Sequence, residues 1–286
     1  MENISTSSLI IADLVSVVVS LVSFLVILVV AKLIKEKTTA YSVKAEIIEQ
    51  DNPAVALATT GYYLGIVAIY LGAYLGPSKG MFIDTAMALA YAAIGVLLMN
   101  ASRVINDKLI LRGIDNNEQL TQAKNMAVGW VLFGSYLATG LVAAAAVSGQ
   151  GGGLISTLVF FVLGQFTLVV FALIYDRLTP YSLLEELAKA NQAAGVAFGG
   201  SLIGLGLIVA NASAGDFYSW TADLFDFVIM ALIAFIFLPL MRMITDRILL
   251  SGSNLAKEIA EDQNLGAGFL EAAMAVSFAL VLIYAI

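Results

Sequence analysis

The chain has 286 residues, of which 60% are hydrophobic and 12% are charged, and its formal net charge is −7. A soluble domain carries roughly 25% charged and 45–50% apolar residues, so this composition excludes an ordinary soluble fold and a disordered chain. The acidic balance argues against a nucleic-acid partner, and the lack of His and Cys excludes the usual zinc ligands, imidazole bases and thiol chemistry.

A helix that crosses a bilayer needs about 20 predominantly apolar residues. The sequence predicts an all-α polytopic membrane protein with eight such helices. The predicted spans are 9–34, 53–76, 82–105, 125–147, 153–175, 192–211, 222–244 and 266–286. Two short mixed segments, 38–51 and 181–190, interleave charged and apolar residues and are predicted to form linking helices at the membrane surface. The alternative is that they dock a partner protein.

The positions of Lys and Arg predict how the chain is oriented. All but one of the 14 basic residues fall in alternate loops, and the exception is Lys79. Because basic residues accumulate in cytoplasmic loops, we expect both termini on the non-cytoplasmic side of a bacterial inner membrane. The residues before the first span include no Lys or Arg, so that span is not interpreted as a cleavable signal peptide.

The chain contains an internal repeat. Residues 52–147 match residues 191–286 without a gap. Polar and glycine identities include Asn52/Asn191, Gly61/Gly200, Gly65/Gly204, Asp84/Asp223, Arg103/Arg242, Asp107/Asp246, Gly113/Gly252 and Asn125/Asn264. Each half holds four spans, so both halves cross the membrane with the same polarity. We therefore predict two parallel four-helix repeats, 1–147 and 148–286, related by a pseudo-two-fold axis along the membrane normal.

Three motifs carry a resemblance to a known family. Asp-Asn-Pro-Ala-Val-Ala-Leu-Ala-Thr-Thr-Gly-Tyr-Tyr-Leu-Gly at 51–65 is followed by Asp84 and by Arg-Val-Ile-Asn-Asp-Lys-Leu-Ile-Leu-Arg-Gly at 103–113. These residues resemble the YjfL-type family of bacterial inner-membrane proteins, classed as a domain of unknown function (number 350). The resemblance implies two tandem four-helix copies, the second with Gln192 in place of Pro53. It implies no activity, so function must be inferred from individual residues.

Two G-x-x-x-G pairs lie on the second and sixth spans. They are Gly61 with Gly65, and Gly200 with Gly204. Because glycines at this spacing let two helices approach closely, the pairs predict tight helix packing. The alternative is that they line a narrow path near the pseudo-axis.

Acidic residues lie at the outer ends of two spans. Asp84 and Asp223 begin the third and seventh spans, where a carboxylate can cap free backbone N–H groups. Alternatively, they form the access point for a cation or a proton. Asp226 lies three residues after Asp223 on the same helical face, and its repeat partner is Met87, so such a site would be asymmetric.

Basic and acidic residues four apart occur at the cytoplasmic ends of the same two spans. This spacing predicts ion pairs between Arg103 and Asp107 and between Arg242 and Asp246. The pairs would serve as interfacial anchors or, alternatively, as a gate or docking latch.

Glu271 lies inside the last span, and its repeat partner is Leu132. An ionisable residue within a span is costly unless it is paired or hydrated. Two interpretations remain open: an ion pair with Arg242 on the neighbouring span, or a proton- or cation-binding carboxylate in a hydrated cavity.

The sequence supports two hypotheses about function. It has no phosphate-binding loop, catalytic motif or metal motif, so we expect no enzyme activity, cofactor or metal. In the first hypothesis the protein is a channel or transporter for a small cation or proton that uses Asp84, Asp223, Asp226 and Glu271. In the second it is a non-catalytic scaffold or envelope-stress component acting through its cytoplasmic face. Candidate partners are the lipid bilayer, a second copy of the chain and a cytoplasmic protein.

Overall fold

The computed structural model describes residues 6–74, 80–149, 151–249 and 252–285. In these residues the regular secondary structure is helical, and eight helices are long and apolar enough to cross a membrane. The predicted all-α, eight-span architecture is confirmed. Lys79 and the predicted span residues 75–76 and 286 lie outside the described residues.

The helices follow the order long, short, long, and this order is repeated four times. They are α1 (Thr6–Thr38), α2 (Val43–Ile48), α3 (Pro53–Tyr74), α4 (Met81–Ile105), α5 (Asn116–Thr121), α6 (Met126–Ser148), α7 (Gly153–Leu178), α8 (Leu183–Ala188), α9 (Gln192–Ser213), α10 (Trp220–Ile244), α11 (Leu255–Ala260) and α12 (Leu265–Ala285). The helices α4 and α10 continue directly into π-helical turns at Asn106–Ile110 and Thr245–Leu249. The predicted surface segments contain α2 and α8, whereas their counterparts α5 and α11 were not predicted.

The order of the helices divides each half into two similar units. We name them unit 1 (α1–α3), unit 2 (α4–α6), unit 3 (α7–α9) and unit 4 (α10–α12). Each unit consists of a long outer helix (α1, α4, α7 or α10), a short helix, and a long inner helix (α3, α6, α9 or α12). The two-copy repeat of the sequence therefore has a finer four-unit repeat within it.

The junction between the short and inner helices is the same in all four units. The inner helices begin directly after Asn52, Asn125, Asn191 and Asn264. In every case the side-chain Oδ1 accepts a hydrogen bond from backbone N–H groups of the first helical turn, which caps the helix. The residue before each Asn has positive φ, and these four are the non-glycine positive-φ residues of the described chain: Asp51, Lys124, Ala190 and Gln263.

Because an L-residue in the left-handed region is strained by about 1–2 kcal/mol, Ala190→Gly should raise stability. The φ of Ala190 is +60°, and the residue is exposed. After the entropic cost of glycine, about 0.5–1 kcal/mol, we expect a net gain of about 0.5–1 kcal/mol in the free energy of unfolding. Denaturant titration in detergent measures it. The neighbouring Ala188→Gly, inside α8, should instead lower stability, and equal effects of the two substitutions would contradict this account.

The same Asn residues join neighbouring units. Each Nδ2 group donates a hydrogen bond to a Glu or Gln of its own short helix. In units 1 to 3 it also donates to the carbonyl oxygen of the penultimate residue in the next unit's short helix, at 2.8 Å each: Asn52 to Leu120, Asn125 to Leu187 and Asn191 to Ile259. A ladder of side-chain to backbone hydrogen bonds therefore runs through the row of units.

The inner helices form the core of the molecule as one row, α3–α6–α9–α12, and neighbouring helices in the row run parallel. Glycines allow their backbones to touch: a Cβ added to Gly65 would lie 2.8 Å from the carbonyl oxygen of Tyr136, and one added to Gly204 would lie 2.8 Å from that of Ala275. Gly61 and Gly200 make equivalent contacts. All four predicted packing glycines therefore lie at inner-helix contacts.

The two halves meet through α6 and α9 in a head-to-tail order. If a closed two-fold axis related the two halves, α12 would pack against α3 in the same way as α6 packs against α9. Instead, α3 and α12 lie at the two ends of the row. The parallel orientation of the halves follows from the parallel inner helices. The linear row therefore gives no support to the predicted two-fold relation between the halves, and the superposition of residues 38–147 on 177–286 by a half-turn stays a prediction.

Candidate functional site

A cavity of about 400 Å³ lies in the second half between α7, α10 and α12. Its lining includes Tyr175 on α7, Ser201 on α9, Arg242 on α10 and Glu271 on α12. Because Arg242 is near the last turn of α10 and Glu271 is near the start of α12, the cavity lies near the face that carries the short helices.

Glu271 is the centre of the polar cluster in this cavity, although its side chain is only 4% exposed. Its Oε1 accepts a hydrogen bond of 2.7 Å from the Tyr175 hydroxyl and lies 3.6 Å from Nε of Arg242. Its Oε2 is buried and has no hydrogen-bond partner among the described residues. Because buried polar atoms are almost always paired, this oxygen is suited to receive a proton, a donor group or a cation.

Arg242 has further partners besides Glu271. Its Nη2 donates to the hydroxyl of Tyr181 at 3.3 Å, and its guanidinium carbon lies 5.5 Å from the ring centroids of both Tyr175 and Tyr181. Burial raises the pKa of Tyr181 above its ordinary value, so this residue stays a neutral hydroxyl at physiological pH. Two aromatic faces therefore help to hold the Arg242 charge even when Glu271 is neutral.

The corresponding region of the first half is filled by a lysine between two tyrosines. Lys35 is 4% exposed, and its Nζ lies 4.4 Å from the ring centroid of Tyr62 and 5.2 Å from that of Tyr136. Tyr62 in turn donates a hydrogen bond to the carbonyl oxygen of Ala31. The arrangement places a cation where aromatic rings stabilise it.

The second half lacks those two rings. In the ungapped alignment of the two copies, Ser201 replaces Tyr62 and Ala275 replaces Tyr136, and both replacements line the cavity. The missing tyrosine side chains leave room at this position. The two copies therefore differ at this position: the first holds Lys35 between two tyrosine rings, and the second holds Glu271 beside a cavity.

The predicted ion pair between Arg103 and Asp107 does not form within 4 Å among the described residues, which corrects that prediction. Arg103 donates to the hydroxyl of Thr39 at 2.9 Å, and it also contacts Thr38. Asp107 accepts a hydrogen bond of 2.8 Å from Nδ2 of Asn116, at the start of α5. Asp107 lies within a π-helical turn, where a hydrogen bond spans five residues, so a spacing of four no longer stacks the two side chains as in an α-helix.

The predicted pair between Arg242 and Asp246 is corrected for the same reason. Asp246 lies in the second π-helical turn and accepts a hydrogen bond of 2.6 Å from the backbone N–H of Leu255, at the start of α11. Arg242 pairs with Glu271 instead, as one of the two interpretations of Glu271 proposed. Both Asp residues therefore secure the start of a short helix.

Of the predicted outer acids, Asp223 lies in the first turn of α10, and the N-cap residue of that helix is Ser219. The Oδ2 of Asp223 accepts hydrogen bonds of 3.0 Å from the backbone N–H groups of both Tyr218 and Ser219, just before α10. Asp84 lies in the first turn of α4. The helix-start interpretation therefore accounts for the geometry of Asp223.

The four predicted acids do not share one cavity. Asp223 and Asp226 line a second cavity of about 570 Å³ at the opposite end of α10 from Arg242. Glu271 lines only the first of these two cavities, and Asp84 lines neither. The structure therefore separates Glu271 from the other candidate ion-pathway residues.

Comparison with known proteins agrees with the repeat. The family described as "Domain of Unknown Function (DUF350)" matches residues 8–147 and again residues 151–286. The chain belongs to this family. A "UPF0719 transmembrane protein" of Aquifex aeolicus (strain VF5) is 24% identical over 243 residues, which cover 84% of this chain and 88% of that protein. No solved structure gives a significant match. The family is the one that the sequence motifs indicated, and the narrower YjfL-type name stays a prediction.

Comparing the two DUF350 copies also shows which site residues the sequence reasoning missed. Lys35 was assigned to a loop, but it is buried inside α1. The match of Thr-Ala-Tyr-Ser (39–42) with Thr-Pro-Tyr-Ser (179–182) pairs Lys35 with Tyr175, in a register shifted by one position from that of the main repeat. The two tyrosine replacements were visible in the main register. These site residues could therefore have been found in the alignment of the two copies, at the positions where the copies differ.

Proposed function

We propose that this integral membrane protein binds and translocates protons or a small cation, and that Glu271 is the residue that carries them. The observation behind the proposal is the buried Oε2 of Glu271, which lacks a partner among the described residues and belongs to a residue lining a cavity of about 400 Å³. A carboxylate inside a membrane span is by default a functional candidate, because its burial is costly.

The chemistry of the site favours a cation or a proton over an anion. A carboxylate oxygen is an acceptor only, so it needs a donor or a positive charge. The positive charge of Arg242 is already matched by Glu271 and two tyrosine rings. Binding of a proton at Glu271 would weaken its pairing with Arg242 while Tyr181 retains the guanidinium. The site can therefore alternate between two charge states.

The test is a flux assay on the purified protein in liposomes, with gradients of protons, sodium, potassium and ammonium. Glu271→Gln should abolish flux of the conducted ion, because Gln has a similar shape but neither the charge nor an exchangeable acid proton. The double substitution Ser201→Tyr with Ala275→Tyr should also abolish flux, because it restores the two rings of the first half. The matched control Glu118→Gln, at an exposed position in α5, should conduct like wild type. A folded Glu271→Gln protein with wild-type flux would contradict the proposal.

We place the protein in a bacterial inner membrane with the short helices on the cytoplasmic side, as the distribution of basic residues indicates. The chain has no Cys, so single cysteines can report topology directly. A cysteine at the exposed Tyr218 should react with a membrane-impermeant maleimide in intact spheroplasts. One at the exposed Asn117 should react only after permeabilisation. The reverse labelling would invert the orientation.

The second candidate function is a non-catalytic scaffold that acts through its cytoplasmic face. The observation that favours it is the repetition of four short helices, α2, α5, α8 and α11, at the same end of the parallel row. In that case Glu271→Gln should complement a deletion strain fully, whereas charge reversals on the exposed surfaces of α5 and α11 should not.

A further inference from the structure

The three contacts between inner helices follow a single register. We number the positions of each unit from the Asn that precedes its inner helix, and this Asn is position 0. A Cβ added to the glycine at position 4 would lie 2.5–3.1 Å from the carbonyl oxygen of position 2 in the preceding unit: Gly129 to Ala54, Gly195 to Ala127 and Gly268 to Ala193. A Cβ added to the glycine at position 9 would lie 2.5–2.6 Å from the Cα of position 8 in the next unit: Gly61 to Phe133, Gly134 to Gly199 and Gly200 to Ala272.

Such a register gives each unit two different faces. The leading face contains positions 2 and 9 together with the Asn Nδ2 donor, and the trailing face contains positions 4 and 8 together with the short-helix carbonyl. Leading faces contact trailing faces at all three junctions. This is a heterologous contact, and a heterologous contact continues until a ring closes or the copies end.

Unit 4 has a leading face without a following unit. Its positions 2 and 9 are Gly266 and Ala273, and both are exposed. A Cβ on Gly266 would meet only its own Asn264 within 4 Å, whereas each of the other three position-2 residues contacts a glycine of the next unit. Asn264 is also exposed, whereas the Asn residues of units 1 to 3 are at most 1% exposed.

Unit 1 has the complementary trailing face. Its position 8 is Thr60, which is exposed, and its position 4 is Ala56, which is partly exposed and stands where units 2 to 4 have glycine. The carbonyl group of Ile47 stands at the penultimate position of α2, where units 2 to 4 accept the hydrogen bond from the preceding Asn.

The outer helices show the same incomplete end. The helices α4, α7 and α10 each pack against the inner helix of their own unit and against that of the preceding unit. The equivalent helix α1 packs against α3 of its own unit and against α4, and no inner helix precedes it in the described chain. A preceding inner helix would cover the corresponding face of α1.

From these observations we infer that a second copy of this chain docks head to tail, with its unit 1 following unit 4 of the first copy. The row of inner helices then continues from α12 of one protomer to α3 of the next. Asn264 donates to the carbonyl oxygen of Ile47 in the neighbouring copy, and Ala273 lies against Thr60 across the interface. The interface follows in trans the register of the contact that each chain makes three times within itself. Its two backbones stand farther apart, because Ala56 and Ala273 occupy positions that hold glycine at the internal junctions.

Cysteine cross-linking in native membranes tests this assembly, because the chain has no cysteine of its own. The double variant Thr60→Cys with Ala273→Cys should give a ladder of dimers, trimers and larger species, or one closed ring, upon oxidation or with a short bis-maleimide. Thr60→Cys mixed with Ala273→Cys should give dimers only, and each single variant alone should give none. The control pair Thr60→Cys with Tyr284→Cys, which moves the thiol to the far end of α12, should not cross-link.

Two results would overturn the inference. If the double variant stays monomeric while a reporter thiol at Tyr218→Cys labels normally, the two faces contact lipid instead of protein. If either single variant forms dimers as readily as the mixture, the interface is isologous. Asn264→Asp keeps the oxygen that caps α12 but lacks the Nδ2 donor, so it should reduce the cross-linking yield several-fold. An unchanged yield would remove the hydrogen bond from the interface.

Discussion

Replacing Gly134 with Ala is expected to lower the free energy of unfolding by about 2–3 kcal/mol, and replacing it with Val by more. Gly134 is one of the points where α6 meets α9, and an added Cβ would lie 2.6 Å from the Cα and carbonyl carbon of Gly199. These are backbone atoms, so no side-chain rotation relieves the clash and one helix must move. Thermal and denaturant unfolding of the purified protein in detergent measure the loss.

The matched control is Gly266→Ala at the free end of the row. A Cβ there meets only Asn264 Oδ1, at 3.2 Å, so we expect a change of less than about 0.5 kcal/mol in the monomer. Equal effects at Gly134 and Gly266 would show that the inner helices do not depend on backbone contact between the halves.

The Glu271→Gln variant is expected to lose about 1–3 kcal/mol of stability as well as flux. Breaking a fully buried ion pair costs about 3–5 kcal/mol because the remaining charge is stranded. Here the cost is smaller, because the Arg242 side chain is 17% exposed and keeps its contacts with Tyr181 and the tyrosine rings. Gln also retains an oxygen that can accept the hydrogen bond from Tyr175. Denaturant unfolding measures the change.

Adding Arg242→Gln to Glu271→Gln separates stability from function. With both charges removed, no ion is stranded, and most of the lost stability should return. Flux should stay absent, because the acid is still missing. If the double variant recovered flux together with stability, the role of Glu271 would be structural, and the proposed translocation would fail.

Features that depend on single helices could be predicted from the sequence, but a repeat whose units are unevenly spaced along the chain could not. The eight spans follow from length and hydropathy alone. The four-unit repeat was not predicted, because the stretch from Asn52 to Asn125 is longer than the stretch from Asn125 to Asn191. No single ungapped offset therefore aligns all units. The positive-φ residues before these Asn residues have four different side chains, and only the backbone shows what they share.

The candidate site was predictable only in part, because it joins separate elements. The partnership of Glu271 with Arg242 follows from the cost of an isolated charge in a span. The cavity does not, because it depends on Tyr175, Ser201 and Ala275 from three helices. The two i,i+4 ion pairs failed because hydropathy and spacing do not reveal that α4 and α10 widen into π-helical turns.

The one-dimensional order of the units has a consequence for biogenesis. Because the main inner-helix contacts join consecutive units, each helical hairpin that leaves the ribosome finds its docking surface already present in the hairpin before it. Such a chain can fold by adding one unit at a time to the units before it, as solenoid proteins do. Its stability is then approximately the sum of the stabilities of the units and of the interfaces between neighbouring units. The main inner-helix contacts therefore do not require the first and last units of the chain to meet.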